Sequence, residues 1–146
     1  MTGCLDAVAP TPVSTVVSIT PLDRSTRGNE SDGGTRFHIE IRIRNIGSRT
    51  IFLDRLYART EKLVDQEWEL ALETAGPPFG SIRTIPAGQS FTLTYSVSYV
   101  RATSPKLVHL EHVRGLYRAR FRMAFTSNGT DILAPEDSYS RPFAVE

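Results

Sequence analysis

His109-Leu110-Glu111-His112 gathers two imidazoles and a carboxylate within four residues, a donor set that suits zinc. The spacing argues against a metal site. A His-Glu-x-x-His motif puts two ligands on one helical face, and no helical period surrounds this segment. In an extended chain His109 and His112 point to opposite sides. Glu67 and Glu69 lie two residues apart on one strand face, so their carboxylates stand roughly 7 Å from each other, a separation compatible with paired-carboxylate catalysis. Catalysis also needs a cleft that raises one pKa, and Glu73 continues the series as a solvated outer row would. Ser and Thr are abundant, yet neither a Gly-x-Ser-x-Gly elbow nor a Ser-x-x-Lys motif accompanies them. The sequence therefore points away from an enzyme, and it implies no cofactor. Its clearest charged pattern is Arg118, Arg120 and Arg122, a cationic stripe on one strand face and a candidate contact face for an acidic protein or a glycan. Arg42 and Arg44 form a shorter stripe on another strand. No aromatic residues are expected between these arginines on the outer face, as single-stranded nucleic acid would favour.

The elements that carry these residues are strands. Phe37 to Arg44 alternates without a break, with Phe37, Ile39, Ile41 and Ile43 on one face and His38, Glu40, Arg42 and Arg44 on the other. Asn45-Ile46-Gly47-Ser48 turns the chain. Val13 to Ile19 is a β-branched run that precedes it, and the polar stretch 24–35 reads as a flexible loop. Residues 50–59 form a third strand. In 67–73, Trp68, Leu70 and Leu72 alternate with Glu67, Glu69 and Glu73, which predicts an apolar inner face and an acidic outer one. Pro86-Ala87-Gly88-Gln89 launches the long alternation of 90–100. Tyr117, Ala119, Phe121, Met123 and Phe125 face the core opposite the arginine stripe, and Asn128-Gly129 is a hairpin signal. The last strand, 139–145, contains Pro142, which predicts an edge position or a bulge. The arginines of 118–122 and of 42–44 are expected on opposite sheets. The glutamate-bearing strand is expected in the sheet of 118–122.

At 146 residues the chain fits one domain that needs neither metal nor disulfide to fold. Seventeen Lys and Arg against sixteen Asp and Glu leave a net charge of +1, so no global field attracts nucleic acid. Cys4 is the only cysteine, which excludes an internal disulfide. No apolar stretch approaches the roughly 20 residues of a membrane span, so the expectation is a soluble chain. Residues 1–12 read as a polar, proline-bearing tether and 13–146 as one β-sandwich domain.

Two resemblances sharpen this reading. Thr2-Gly3-Cys4 resembles the end of the Leu-(Ala/Ser/Thr)-(Gly/Ala)-Cys box of bacterial lipoproteins, although Met1 departs from it. That likeness implies lipid on Cys4, an extracytoplasmic location at the cell surface or in the periplasm, and membrane contact only through the lipid. Gly115-Leu116-Tyr117 resembles the lead-in to strand F of immunoglobulin-like and fibronectin-like domains. The resemblance implies an antiparallel sandwich of about seven to nine strands, with Tyr117 as a tyrosine corner whose hydroxyl reaches upstream backbone. Arg44-Asn45-Ile46-Gly47, Ile85-Pro86-Ala87-Gly88-Gln89 and Ser140-Arg141-Pro142-Phe143-Ala144-Val145 extend the likeness. So does Trp68, whose strand is similar to one in the small bacterial proteinase inhibitors. The implied function is a non-enzymatic binding, scaffolding or inhibitory module with a protein or glycan partner and no nucleic acid. Its loops 24–35, 74–89 and 101–114 would be contact surfaces. A different reading is a structural subunit of an extracellular polymer, in which the tether or the strand 13–19 completes a neighbour's sheet.

Overall fold

The computed structural model describes residues 14–31, 34–100 and 112–146. They form two packed sheets, an all-β sandwich. The described strands are β1 (Val17–Pro21), β2 (Ser25–Thr26), β3 (Asn29–Ser31), β4 (Gly34–Asn45), β5 (Ile51–Val64), β6 (Glu67–Thr74), β7 (Ile82–Ile85), β8 (Ser90–Val100), β9 (Gly115–Ala124) and β10 (Phe143–Val145). The count exceeds the expected seven to nine because the polar stretch 24–35 contains β2, β3 and the start of β4. Such short segments pair through backbone alone and need no hydrophobic pattern.

In the smaller sheet β4 is central. β8 runs along one side of it from Gly34 opposite Val100 to Arg44 opposite Ser90, while β1 and β3 share the other side. The larger sheet has the order β2-β10-β9-β5, with β6 and β7 sharing the far side of β5. All pairings are antiparallel except that of β10 with β2. Pro142 does not consign the last strand to an edge. It lies just before β10, where no ladder hydrogen bond is asked of it, and β10 is paired on both sides.

The core follows the alternations. Phe37, Ile39, Ile41 and Ile43 are at most 3% exposed and face the other sheet's Tyr117, Ala119, Phe121 and Met123. Burying an aliphatic or aromatic side chain of this kind contributes about 1.5–3 kcal/mol. The Tyr117 ring lies 4.9 Å from that of Phe37 and is stacked at 6.2 Å on Phe143. Its hydroxyl donates to the Val113 carbonyl at 2.8 Å, four residues upstream. Gly115, at φ 153°, turns the chain between them, and a Cβ there would lie 2.6 Å from Lys62 Cε. Asn45 is fully buried where β4 ends. Its amide donates to the carbonyls of Arg49 at 2.7 Å and Ile85 at 2.9 Å, and its Oδ1 accepts the Gly47 N–H at 3.1 Å. One side chain thus closes the turn and ties β4 to the end of β7 in the other sheet.

Two bulges depart from the sequence pattern. On β5, Leu53 faces Met123 and Ala58 faces Phe121, so Asp54, Arg55, Leu56 and Tyr57 stand opposite Arg122 alone. Between β5 and β6, Thr60 faces Leu72 but Glu61 faces Leu70, which leaves Ala71 as the extra residue, fully buried. Directly opposed residues share a face. The bulge therefore turns Trp68 and Leu70 to the outer side with Glu61, and Glu67 and Glu69 to the side of Val64 and Lys62. Only Glu73 remains on the outer face, opposite Arg59. The expected row of three outer glutamates does not form.

Candidate contact face of the larger sheet

Cys4, the tether 1–12, His109 and residues 101–111 of the third expected contact loop lie outside the described residues. His112 is exposed, and its backbone carbonyl accepts a hydrogen bond from Lys62 Nζ at 2.5 Å. Among the described residues no three His, Cys, Asp or Glu side chains are grouped to hold a metal ion. No described helix is long and apolar enough to cross a membrane.

The alternation of β9 sends Arg118, Arg120 and Arg122 to the outer face of the larger sheet. Arg42 and Arg44, on β4, belong to the other sheet. Contrary to the sequence reading, aromatic rings do interleave with the β9 arginines. The Arg118 guanidinium lies 3.9 Å from the Tyr139 ring centroid and 4.6 Å from that of Trp68. Its Nε and Nη2 each approach Glu61 Oε1 at 2.7 Å, while Arg59 Nε donates to Glu61 Oε2 at 2.8 Å. Glu61 is 4% exposed, so a buried carboxylate holds two guanidiniums and fixes Arg118 between two rings. Arg122 lies 4.1 Å over the Tyr57 ring, with Nη1 3.6 Å from Asp54 Oδ2. The Tyr57 hydroxyl donates to Glu73 Oε2 at 3.0 Å, and Arg59 Nη1 stands 3.7 Å from the same oxygen. Burial, with the hydrogen bond to Glu73 and its charge, raises the Tyr57 pKa against the opposing field of Arg120 and Arg122.

Pairing these charges leaves one over. Arg59 and Arg118 share Glu61, Arg59 also reaches Glu73, and Arg122 reaches Asp54. Arg120 pairs with no carboxylate among the described residues and lies 5.7 Å from the Tyr139 ring. The stripe is thus a mostly neutralised array with a single unbalanced cation at its centre. Trp68 Nε1 is buried beside it with no hydrogen-bond partner among the described residues. Sequence reading found the three arginines but not Tyr57, Trp68 or Tyr139. Trp68 looked like a core residue because the bulge at Ala71 is invisible in a single strand. Tyr139 reaches the face through an isolated bridge opposite Arg120, a contact between distant segments.

A groove of about 360 Å³ opens between the sheets where β5 bulges away from β8. Leu53, Tyr57, Phe91, Leu93, Tyr95 and Phe121 line it. Asp54, 1% exposed, holds the bulge: Oδ1 accepts the Leu56 N–H at 3.0 Å and Oδ2 the Phe79 N–H at 3.1 Å. Tyr95 hydrogen-bonds Thr60 in the interior, and burial pushes its hydroxyl up to about 12 against the opposing effect of that bond.

No protein-family model and no curated protein matches this chain. Solved structures do. A structural-genomics target, SoR45, is 17% identical with a TM-score of 0.53, over 90% of this chain and 87% of its own. The putative ApaA protein from Bordetella pertussis is 17% identical over 94% of this chain and 90% of its own, with a TM-score of 0.42. β-Glucosidase 3B from Thermotoga neapolitana is 15% identical with a TM-score of 0.38, and the matched part is 16% of that enzyme. At 17% identity the likeness to the SoR45 target is one of fold alone. The SoR45 target, which matches over nearly its whole length, shares this architecture.

Proposed function

We propose that the chain is a non-enzymatic, immunoglobulin-like binding module that holds an anionic group of a protein or glycan against Arg120. The strand order supports the immunoglobulin-like part of this reading: β1, β4 and β8 take the places of strands A, B and E, and β5, β9 and β10 those of C, F and G. The hydrogen bond from Tyr117 to Val113 fits the same scheme. The observation that carries the binding role is the uncompensated guanidinium of Arg120, set in a face whose other arginines are held in place by Glu61, Asp54 and aromatic rings. A preorganised face loses little side-chain entropy when a ligand arrives, and a carboxylate or sulfate there would complete the charge pairing. The non-enzymatic part of the reading rests on the sequence, which carries neither a Gly-x-Ser-x-Gly elbow nor a Ser-x-x-Lys motif. Thr2-Gly3-Cys4 supports an extracytoplasmic, lipid-held location for the module.

The test is binding to heparin and to poly-glutamate, as sulfated-glycan and acidic-polypeptide probes, at physiological salt. Arg120→Gln is expected to weaken the bound probe roughly tenfold, while Arg44→Gln on the opposite sheet leaves it unchanged. Failure of both probes to bind, or equal losses in the two variants, overturns the reading.

A further inference from the structure

β8 is the long free edge of the smaller sheet. It pairs with β4 along its whole length, and no described strand pairs with its other side. An exposed edge is a template for another strand, and proteins blunt it with charge, proline, bulges or shortness. The other outer strands here carry such protection. β6 has Glu67, Glu69, Glu73 and a bulge, β7 is four residues long with Arg83, β1 ends in Pro21, and β2 and β3 are only two and three residues long. Residues 90–98 have none of these: Ser-Phe-Thr-Leu-Thr-Tyr-Ser-Val-Ser contains no charge, proline or glycine, and its register with β4 is unbroken. Ser90, Thr92, Thr94, Ser96 and Ser98 are exposed on the outer face. Phe91 and Leu93, on the inner side, are only half-buried and line the groove.

We propose that β8 pairs antiparallel with β8 of a second copy of this chain, joining the two smaller sheets into one across a two-fold axis. The occupant follows from self-complementarity. Reversing the strand on itself sets a hydroxyl row against a hydroxyl row and an apolar row against an apolar row, with no like charges to repel. The partner's Phe91 and Leu93 then come to the mouth of the groove. β1 is paired with β4 in its own chain, so a contact through β8 asks for no pairing to be given up.

The test uses the whole chain in sedimentation equilibrium over a wide concentration range, with hydrogen exchange of residues 90–98. The expected result is a monomer–dimer equilibrium in which alternate β8 amides gain protection on dimerisation. Thr94→Lys places two cations near the axis and is expected to raise the dissociation constant about tenfold or more, whereas Ser48→Lys, an equal charge change on an exposed turn, does not. Ser96→Lys repeats the perturbation at a separate exposed position, and circular dichroism establishes that each variant is folded. A monomer at every concentration, or a dimer that both β8 variants leave intact, overturns the proposal.

Discussion

Asp54→Ala tests whether a buried carboxylate holds the β5 bulge and, through it, both the groove and the ring of Tyr57. The substitution removes the acceptor of two backbone N–H groups, those of Leu56 at 3.0 Å and Phe79 at 3.1 Å, and the partner of Arg122 at 3.6 Å. A buried donor left without a partner costs about 1–3 kcal/mol. The groove lets water reach part of the site, so the two donors together are expected to cost about 2–4 kcal/mol rather than the upper sum. The ion pair adds little, because Arg122 is 28% exposed. For a domain of this size each kcal/mol lowers the melting temperature by about 2–4 °C, which gives a fall of roughly 4–16 °C. Asp54→Asn keeps one acceptor and is expected to fall between the variant and the parent. Urea and thermal unfolding, followed by far-ultraviolet circular dichroism and Trp68 fluorescence, measure both. A loss below about 1 kcal/mol for Asp54→Ala would refute the reasoning, since the bulge would then stand without its carboxylate.

Tyr117→Phe deletes the hydroxyl that satisfies the Val113 carbonyl and is expected to cost about 1–2 kcal/mol at neutral pH in the same unfolding assays. Burial raises the hydroxyls of both Tyr117 and Tyr95 above their ordinary value of 10.0, Tyr95 to about 12. Above pH 10 the unfolded chain therefore releases protons that the folded chain keeps, so stability is full below pH 10 and falls as pH rises beyond it. Each tyrosine steepens the fall by up to about 1.4 kcal/mol per pH unit, and Tyr117→Phe is expected to make it shallower in denaturant titrations at pH 9 to 12. Asn45→Ala removes three hydrogen bonds at a fully buried position and is expected to cost about 2–4 kcal/mol, read as a lower urea midpoint with an unchanged slope.

The features legible in the sequence were those that a strand states about itself. The alternation from Phe37 to Ile43 gave the buried face of β4, and the alternation from Tyr117 to Met123 gave that of β9. The assignment of the two arginine stripes to opposite sheets also followed from strand order. The illegible features belong to pairs of strands. Glu67 to Glu73 alternates as text except at Ala71, yet Ala71 has no partner on β5, and that single extra residue exchanges the faces of everything before it. The β5 bulge likewise exists only because Arg122 alone answers Asp54 to Tyr57. The contact face was half visible for the same reason. Arg118, Arg120 and Arg122 declared their spacing, but Glu61 was hidden as a buried charge and Tyr139 joins them only through tertiary structure.

β10 lies between β2 and β9, its Phe143 and Val145 are buried, and the Glu146 N–H bonds the Thr26 carbonyl. The larger sheet is therefore closed only when β10 meets β2, a strand more than a hundred residues earlier in the chain. Until then Tyr117 lacks the ring it stacks on and the sandwich stays open along one side. The pairing that completes this sheet thus has a high sequence separation, and loop-closure entropy is expected to make it a late step of folding.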